Sequence, residues 1–396
     1  MSMELKVGSW VLRMTPVRWA LAVMAMIGIL LMIFRFATGL GFATNLSDDW
    51  PWGLWIILDL SAVAIAGAGY SMALLAHVLH IKDFGPLARR GMLISLLLYI
   101  FVMLTLIIEI GRWDNFYTPL YSWGWTSPLW EVFIAIMLYM VIQAFEFGEV
   151  VTEKTNPSLN SKLKKILPVI FILGALIPFG HQASLGAIYL MMPSQLNALW
   201  WSFNLPWFFL LTSFFAGSAV IALDVLWSSR AYKHPINMKS LVRLVRIGGW
   251  LMAGYFVWKM IDLYRLDAFM NMFAGVWQSN LFLVEMGLGV LLPVIICLSP
   301  LINSKAGLFS FGVLCLFGIV MNRFNVVYTG MYDSVPSGYT ANIVEWGSSI
   351  GLLALMVLLY LLIVENFNIY YYGVKKEEEM GTNIEGRPIS DGEKSV

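Results

Sequence analysis

Ten long apolar runs alternate with short polar stretches along the chain. A helix that crosses a bilayer needs about 20 mostly apolar residues, and each run is long enough. The pattern predicts spans over 17–40, 51–79, 90–112, 128–150, 166–192, 203–228, 247–266, 277–299, 306–328 and 342–372. The fifth and tenth exceed the bilayer thickness, which predicts tilt or protrusion. The first run has no small-x-small cleavage site after it and reads as a retained span. The expected fold class is all-α: a polytopic integral membrane bundle of about ten helices over 1–372, then a short charged tail at 373–396.

Composition agrees with this pattern. Of 396 residues, 59% are hydrophobic and 12% charged, against about 25% charged in soluble domains. The net charge of +1 argues against a nucleic-acid partner, which requires a basic surface. The two cysteines, Cys297 and Cys315, lie in apolar runs. An iron–sulfur cluster takes four thiolates, so these two read as inert core thiols.

Charge placement sets the expected orientation. Twenty of the 25 basic residues fall in the N-terminal segment, the even-numbered loops and the tail. The positive-inside rule then places both termini in the cytoplasm. The opposite loops, notably 115–130 and 192–207, are rich in Trp, Tyr, Pro and Asn instead. They read either as an interfacial aromatic belt or as a docking surface for an extracytoplasmic protein.

An ionisable residue within a span costs about 2.5–3.5 kcal/mol, which makes it a functional candidate. Asp59, Glu109, Glu131, His181, Lys259, Asp262, Glu285, Arg323 and Glu345 all fall in the outer half of their spans. They could pair to hold helices together; Lys259 with Asp262 and Glu109 with Arg112 have the spacing. They could instead line a polar cavity near the outer surface. A quinone headgroup needs such a cavity, because its two carbonyls accept hydrogen bonds and its two-electron chemistry moves two protons. The segment 179–186, FGHQASLG, sets His181 beside Gln182 in mid-membrane, as interhelical hydrogen bonders or as headgroup contacts. The inner half is sparser, holding Glu146, Glu149, Asp224, Glu365, His77 and His80, with Asp224 read as snorkelling to the surface. Bis-imidazole haem ligation needs two histidines at one depth, and only His181 is deep.

Several of these residues carry a resemblance. Trp50-Pro51-Trp52-Gly53-Leu54-Trp55 followed by Asp59 resembles the second span of the NrfD/PsrC family. His181-Gln182-x-Ser184-Leu185-Gly186, then Met192-Pro193, Leu199-Trp200 and Pro206, resembles its HybB-like and DsrP (HmeB)-like branch. Arg323-x-Asn325-Val326, a Tyr-rich loop and Glu345 fit the same branch, although the loop reads Tyr339-Thr340-Ala341-Asn342 where a Pro-Ser-Trp-like stretch is expected. The resemblance implies a multi-pass subunit of a prokaryotic cell membrane, not catalytic alone, within an oxidoreductase complex of anaerobic respiration. Such subunits occur with periplasmic nickel–iron hydrogenases and in sulfate reducers. The implied cofactor is bound menaquinone or another quinone, with no haem or iron–sulfur cluster in this chain. The implied partners are an extracytoplasmic ferredoxin-like subunit with 4Fe–4S clusters and further redox subunits, with proton translocation as an added expectation. Depth, chemistry and these motifs make His181, Gln182, Asp59, Trp55 and Arg323 the expected quinone contacts. Glu109, Glu131, Glu285, Asp262, Lys259 and Glu345 are the expected proton relays. Two rivals stand beside this reading. One is a stand-alone secondary transporter, with spans broken at Pro168, Pro178 or Pro293; the other is a passive anchor with no quinone site.

Overall fold

A computed structural model describes residues 3–7, 10–335 and 337–370, so the tail expected at 373–396 lies outside the described residues. Among the described residues, ten helices are long and apolar enough to cross a membrane. They are α1 (Pro16–Thr38), α2 (Leu54–Val78), α3 (Lys82–Glu109), α4 (Pro128–Thr155), α5 (Pro157–Met191), α6 (Leu205–Tyr232), α7 (Met238–Arg265), α8 (Trp277–Leu298), α9 (Lys305–Ser334) and α10 (Ile343–Asn366).

Each falls on a predicted run, with ends displaced where polar residues continue the helix. The start of α5 lies nine residues before the predicted one. Asn156 caps it by accepting from the Leu159 N–H, and Pro157 occupies the first turn, where a missing N–H costs nothing. Long-stemmed Lys162, Lys164 and Lys165 then sustain the helix. In the other direction, α10 ends at Asn366, short of the predicted 372.

One element has no counterpart in the hydropathy pattern. Strands β1 (Met3–Val7) and β2 (Trp10–Met14) pair as an antiparallel hairpin. The Asn366 side chain accepts from the Val11 N–H at 2.9 Å and donates to the Val11 carbonyl at 2.8 Å. Arg18 donates to Glu365 at 3.0 Å. These bonds fasten the start of the chain to the end of α10, so both lie at one end of the bundle.

Helices α2 to α5 pack as one four-helix group and α6 to α9 as another, joined where α6 meets α2 and α5 and where α9 meets α2. Outside them, α1 pairs with α10, which rests on α3. The α1–α10 pair meets backbone to backbone: a Cβ on Gly28 would lie 2.6 Å from the Gly351 Cα. Small residues allow such close approach where no hydrophobic force drives helices together in lipid. The prolines do not interrupt the spans. Pro168 and Pro178 sit inside continuous helix, and Pro293 opens regular helix after a π-helical stretch at Gly287–Leu291. Both cysteines are buried and free.

Ion pairs gather at the end that carries the termini. Arg89 reaches Glu149 at 3.0 Å and Glu153 at 2.7 Å, and Arg90 reaches Asp224 at 2.8 Å. Asp224 therefore does not snorkel; it is held inside by Arg90 and by the Tyr360 hydroxyl. The pairings expected at the opposite end do not form. Arg112 is exposed and bonds Asp114 instead of Glu109, because the chain leaves helical geometry at Ile110 and turns the guanidinium outward. Among the described residues no ion pair joins Lys259 to Asp262, although both are buried.

Candidate functional site

The first helical group encloses a cavity of about 540 Å³, counting its open mouth. Its walls come from Trp52 and four helices: Asp59 and Val63 on α2, Val102 and Leu106 on α3, Val132 and Ile136 on α4, and His181 and Leu185 on α5. The walls are otherwise aliphatic or aromatic. Leu129 at the rim is 54% exposed, on a helix whose outer face is clothed in apolar side chains. The mouth thus faces the surface that lipid covers.

Two polar groups stand in this apolar chamber. His181 is 1% exposed, and neither ring nitrogen has a hydrogen-bond partner. Asp59 accepts a bond from Thr105 at Oδ1, while Oδ2 is unpartnered. Buried polar atoms are nearly always satisfied in folded proteins, and each orphan costs about 1–3 kcal/mol. Behind Asp59, at the end of α3, the buried Glu109 carboxylate has no side-chain partner; it lies near the Gly53 backbone N–H and within electrostatic reach of Asp59 and Glu345.

The local sequence explains who faces inward. On α5, His181 and Leu185 are one turn apart and share the cavity face. Gln182 points elsewhere, donating to the Val63 carbonyl at 2.8 Å, beside the break in regular helix at Ala66 of α2. Ser184 bonds back to the Gly180 carbonyl. Gly186 lets α6 approach, since a Cβ there would meet the Leu205 carbonyl oxygen at 2.5 Å. One motif thus holds two cavity residues, His181 and Leu185, and two that set helix packing, Gln182 and Gly186.

The other expected site residues form separate groups. Trp55 donates to Ser348 at 3.1 Å and ties α2 to α10. Glu345 accepts from the Tyr339 hydroxyl and from the Asn342 N–H at 2.9 Å, closing a capping box at the start of α10. Glu131 is exposed in the first turn of α4, where a carboxylate suits the helix dipole. Four more belong to the second helical group. Glu285 accepts from Trp200 at 2.9 Å, Asn325 at 2.8 Å and Asn322 at 2.7 Å. Arg323 donates to Thr212 at 2.8 Å and lies 3.6 Å above the Phe209 ring centre. Asp262 accepts from Asn204 at 2.6 Å, and the Lys259 ammonium sits 5.4 Å from the Phe208 ring centre. Of the eleven expected residues, the cavity is lined by Asp59 and His181.

Reading the sequence by charge missed Tyr99. It is fully buried on α3, its ring centre 5.9 Å from that of His181, and its hydroxyl has no partner. A phenol in mid-span was the available signal. The loop 192–207 also differs from a purely external surface. Trp200 turns inward to Glu285 and is 1% exposed, while Phe203 and Trp207 remain outside.

A haem is poorly served by these histidines. His77 stacks on Phe171 at 3.8 Å, ten residues or about 15 Å of helix rise from His181. His80 and His234 lie beyond the helix ends at the termini-bearing face. Among the described residues, no group of three or more His, Cys, Asp or Glu could hold a metal ion.

Comparison with known proteins adds an independent line. The chain is 30% identical to a protein of Nitratidesulfovibrio vulgaris over 90% of this chain and 95% of that one. It is 28% identical to the probable Ni/Fe-hydrogenase 2 b-type cytochrome subunit of Escherichia coli, covering 85% of this chain and 87% of that one. It is 25% identical to the menaquinone reductase integral membrane subunit of N. vulgaris, covering 86% and 87%. The family described as polysulphide reductase, NrfD, matches residues 42–334. With ten helices among its described residues long and apolar enough to cross a membrane, and a match over most of its length, the chain belongs to the NrfD family of membrane subunits of quinone-type oxidoreductase complexes.

Proposed function

We propose that this chain binds a quinone in the α2–α5 cavity and exchanges electrons between it and a redox partner docked at the end opposite the termini. The observation that carries the reading is the coincidence of unpartnered His181 and Asp59 in one apolar, lipid-facing chamber. A neutral imidazole presents one N–H and one lone pair. A protonated Asp59 presents an O–H at Oδ2. Two donors suit two carbonyls, and the lone pair of the neutral imidazole and an ionised Asp59 carboxylate accept from a quinol. The quinone supplies the two-electron, two-proton couple. The chain orients the ring, excludes water with Val102, Val132 and Leu185, and holds protons at His181 and Asp59.

The apolar wall favours a naphthoquinone, whose fused ring carries no polar substituent. The name of the menaquinone reductase relative, and that of a menaquinol oxidoreductase subunit of Archaeoglobus fulgidus with 22% identity, support the same class. Gln182, Trp55 and Glu345 brace the chamber, and Arg323 belongs to the neighbouring group. The partner we infer is a ferredoxin-like iron–sulfur subunit. It would rest on the loop after α3, where Tyr121, Trp123 and Trp125 are exposed next to the rim residue Leu129. The excess of Lys and Arg at the other end supports cytoplasmic termini.

The test is His181→Ala in the complex purified through a tag on this chain. Quinone-linked turnover should fall at least tenfold while the partner subunits still co-purify. Normal turnover would discard the cavity as the quinone site and leave a passive anchor. A chain that purifies without redox partners would favour a transporter.

A further inference from the structure

Quinone chemistry needs protons as well as electrons, and a column of buried polar side chains, hydrogen-bonded to one another in its middle, leaves the cavity floor between α3 and α4. It begins at His181. The Tyr99 ring centre lies 5.9 Å away, and the Tyr139 ring centre 4.7 Å beyond that. The Tyr139 hydroxyl meets the Ser95 hydroxyl at 3.3 Å, and Gln143 donates to Ser95 at 2.7 Å. Glu146 follows Gln143 by one turn on α4 and acts electrostatically on Tyr139. One further turn reaches Glu149, bonded to Arg89, with Glu153 and Lys164 partly exposed at the termini-bearing surface.

Two details set this column apart from ordinary packing. Tyr99 Oη and Gln143 Oε1 are buried without partners, so the chain keeps open hydrogen-bonding capacity inside an apolar bundle at a cost in stability. The column also has room made for it. A Cβ on Gly69 would lie 2.7 Å from Ser95 Oγ and 3.0 Å from Tyr139 Oη, and a Cβ on Gly174 would lie 2.8 Å from Glu146 Oε1. Glycine at both positions leaves space where the polar groups gather.

We propose that protons exchanged at the quinone cavity pass to and from the termini-bearing surface along His181, Tyr99, Tyr139, Ser95, Gln143 and Glu146. This rests on the quinone reading above. In the reducing direction, the partner's iron–sulfur centre delivers two electrons and each quinone carbonyl oxygen gains one proton to form an O–H bond. Each side chain that gives a proton regains one from the next, ending at Glu146 and the surface, so the protein is unchanged after one turnover. Electrons and protons then arrive from opposite faces, and the reaction moves charge across the membrane.

The experiment uses the intact complex with dimethylnaphthoquinone as acceptor and reduced benzyl viologen as donor, in detergent and in liposomes holding a trapped pH dye. Tyr99→Phe and Glu146→Gln should each slow quinone reduction at least tenfold. The KM for the quinone and the co-purifying subunits should not change. The H2O/D2O rate ratio should rise, and Glu146→Asp should restore most of the rate. Tyr139→Phe, which removes one oxygen, serves if either variant assembles poorly. The dye should report proton uptake from the termini-bearing side. Rates within twofold of the unmodified complex, or uptake from the opposite side, would overturn the column. His181→Ala in the same assay separates the two ideas. If it abolishes turnover while the column variants do not, the quinone site stands and the column falls. If it leaves turnover intact, the site itself is wrong.

Discussion

Arg90 donates to Asp224 at 2.8 Å between α3 and α6, while Asp59 and Glu109, buried as deeply, meet no cation among the described residues. The contrast separates charge used for assembly from charge held in reserve. Removing one member of a buried pair strands the other, at about 3–5 kcal/mol. Asp224→Ala should therefore lower the melting temperature of the detergent-purified complex by several degrees. An apolar double replacement, Arg90→Met with Asp224→Leu, should recover much of that loss. A single variant as stable as the unmodified chain would remove the pair from the list of assembly contacts.

The cavity wall offers a test that leaves every polar group in place. Val132 lines the chamber next to the rim, so Val132→Trp fills space that a headgroup would occupy. The expected result is a KM for dimethylnaphthoquinone raised about tenfold, equivalent to about 1.4 kcal/mol, with the partner subunits retained. Steady-state kinetics at several quinone concentrations measures it, and an unchanged KM would place the quinone elsewhere.

Tyr339 joins the loop before α10 to the start of α2. Its hydroxyl donates to Glu345 and accepts from the Leu54 N–H at 2.9 Å. Burial, reinforced by the Glu345 carboxylate, pushes the phenol well above its ordinary value, so it stays protonated between pH 6 and pH 9. Tyr339→Phe leaves a buried N–H and a carboxylate oxygen short of a partner, at about 1–3 kcal/mol each. The prediction is a lower melting temperature with no new pH dependence between pH 6 and pH 9, measured by thermal unfolding (about neutral pH brackets the phenol's usual pKa of about 10 from below). A pH-dependent melting difference between variant and unmodified chain in that window would contradict it.

The spans were legible because the bilayer imposes a single strong rule on length and apolarity, and every predicted run contains a helix. The hairpin of β1 and β2 was not legible from hydropathy: Met3, Leu5 and Val7 alternate with Glu4 and Lys6, but each strand is only five residues long and the second is held by Asn366 and Glu365, some 350 residues away. The site was half legible. Depth along the predicted spans placed the expensive residues toward one end of their helices, but depth says nothing about azimuth. Asp59 and Glu285 lie in different four-helix groups, and Gln182 turns away from its neighbour His181, because rotation about a helix axis depends on packing partners. Hydropathy could not flag Tyr99, since phenols are ordinary in apolar cores until the hydroxyl is seen to be unpartnered. The loop before Glu345, which departs from the family pattern, keeps a defined geometry through Tyr339 and the Asn342 cap.

Glu285 decides whether the second helical group is a brace or a relay. Three N–H donors converge on it: Asn322 on Oε1, and Trp200 and Asn325 on Oε2. The Asn322 oxygen is committed to Arg323 at 2.6 Å, so its amide cannot flip to welcome a new donor. In Glu285→Gln the added NH2 must therefore confront an N–H whichever way it turns, and a buried donor is left unpaired at about 1–3 kcal/mol. Glu285→Ala strands all three donors and should cost more. If the group is a brace, both variants melt earlier, in that order, while turnover per intact complex stays within twofold. Turnover lost in Glu285→Gln at an unchanged melting temperature would instead make the carboxylate a proton carrier, and would move the search for a proton route from the α3–α4 column to the Glu285 side of the molecule.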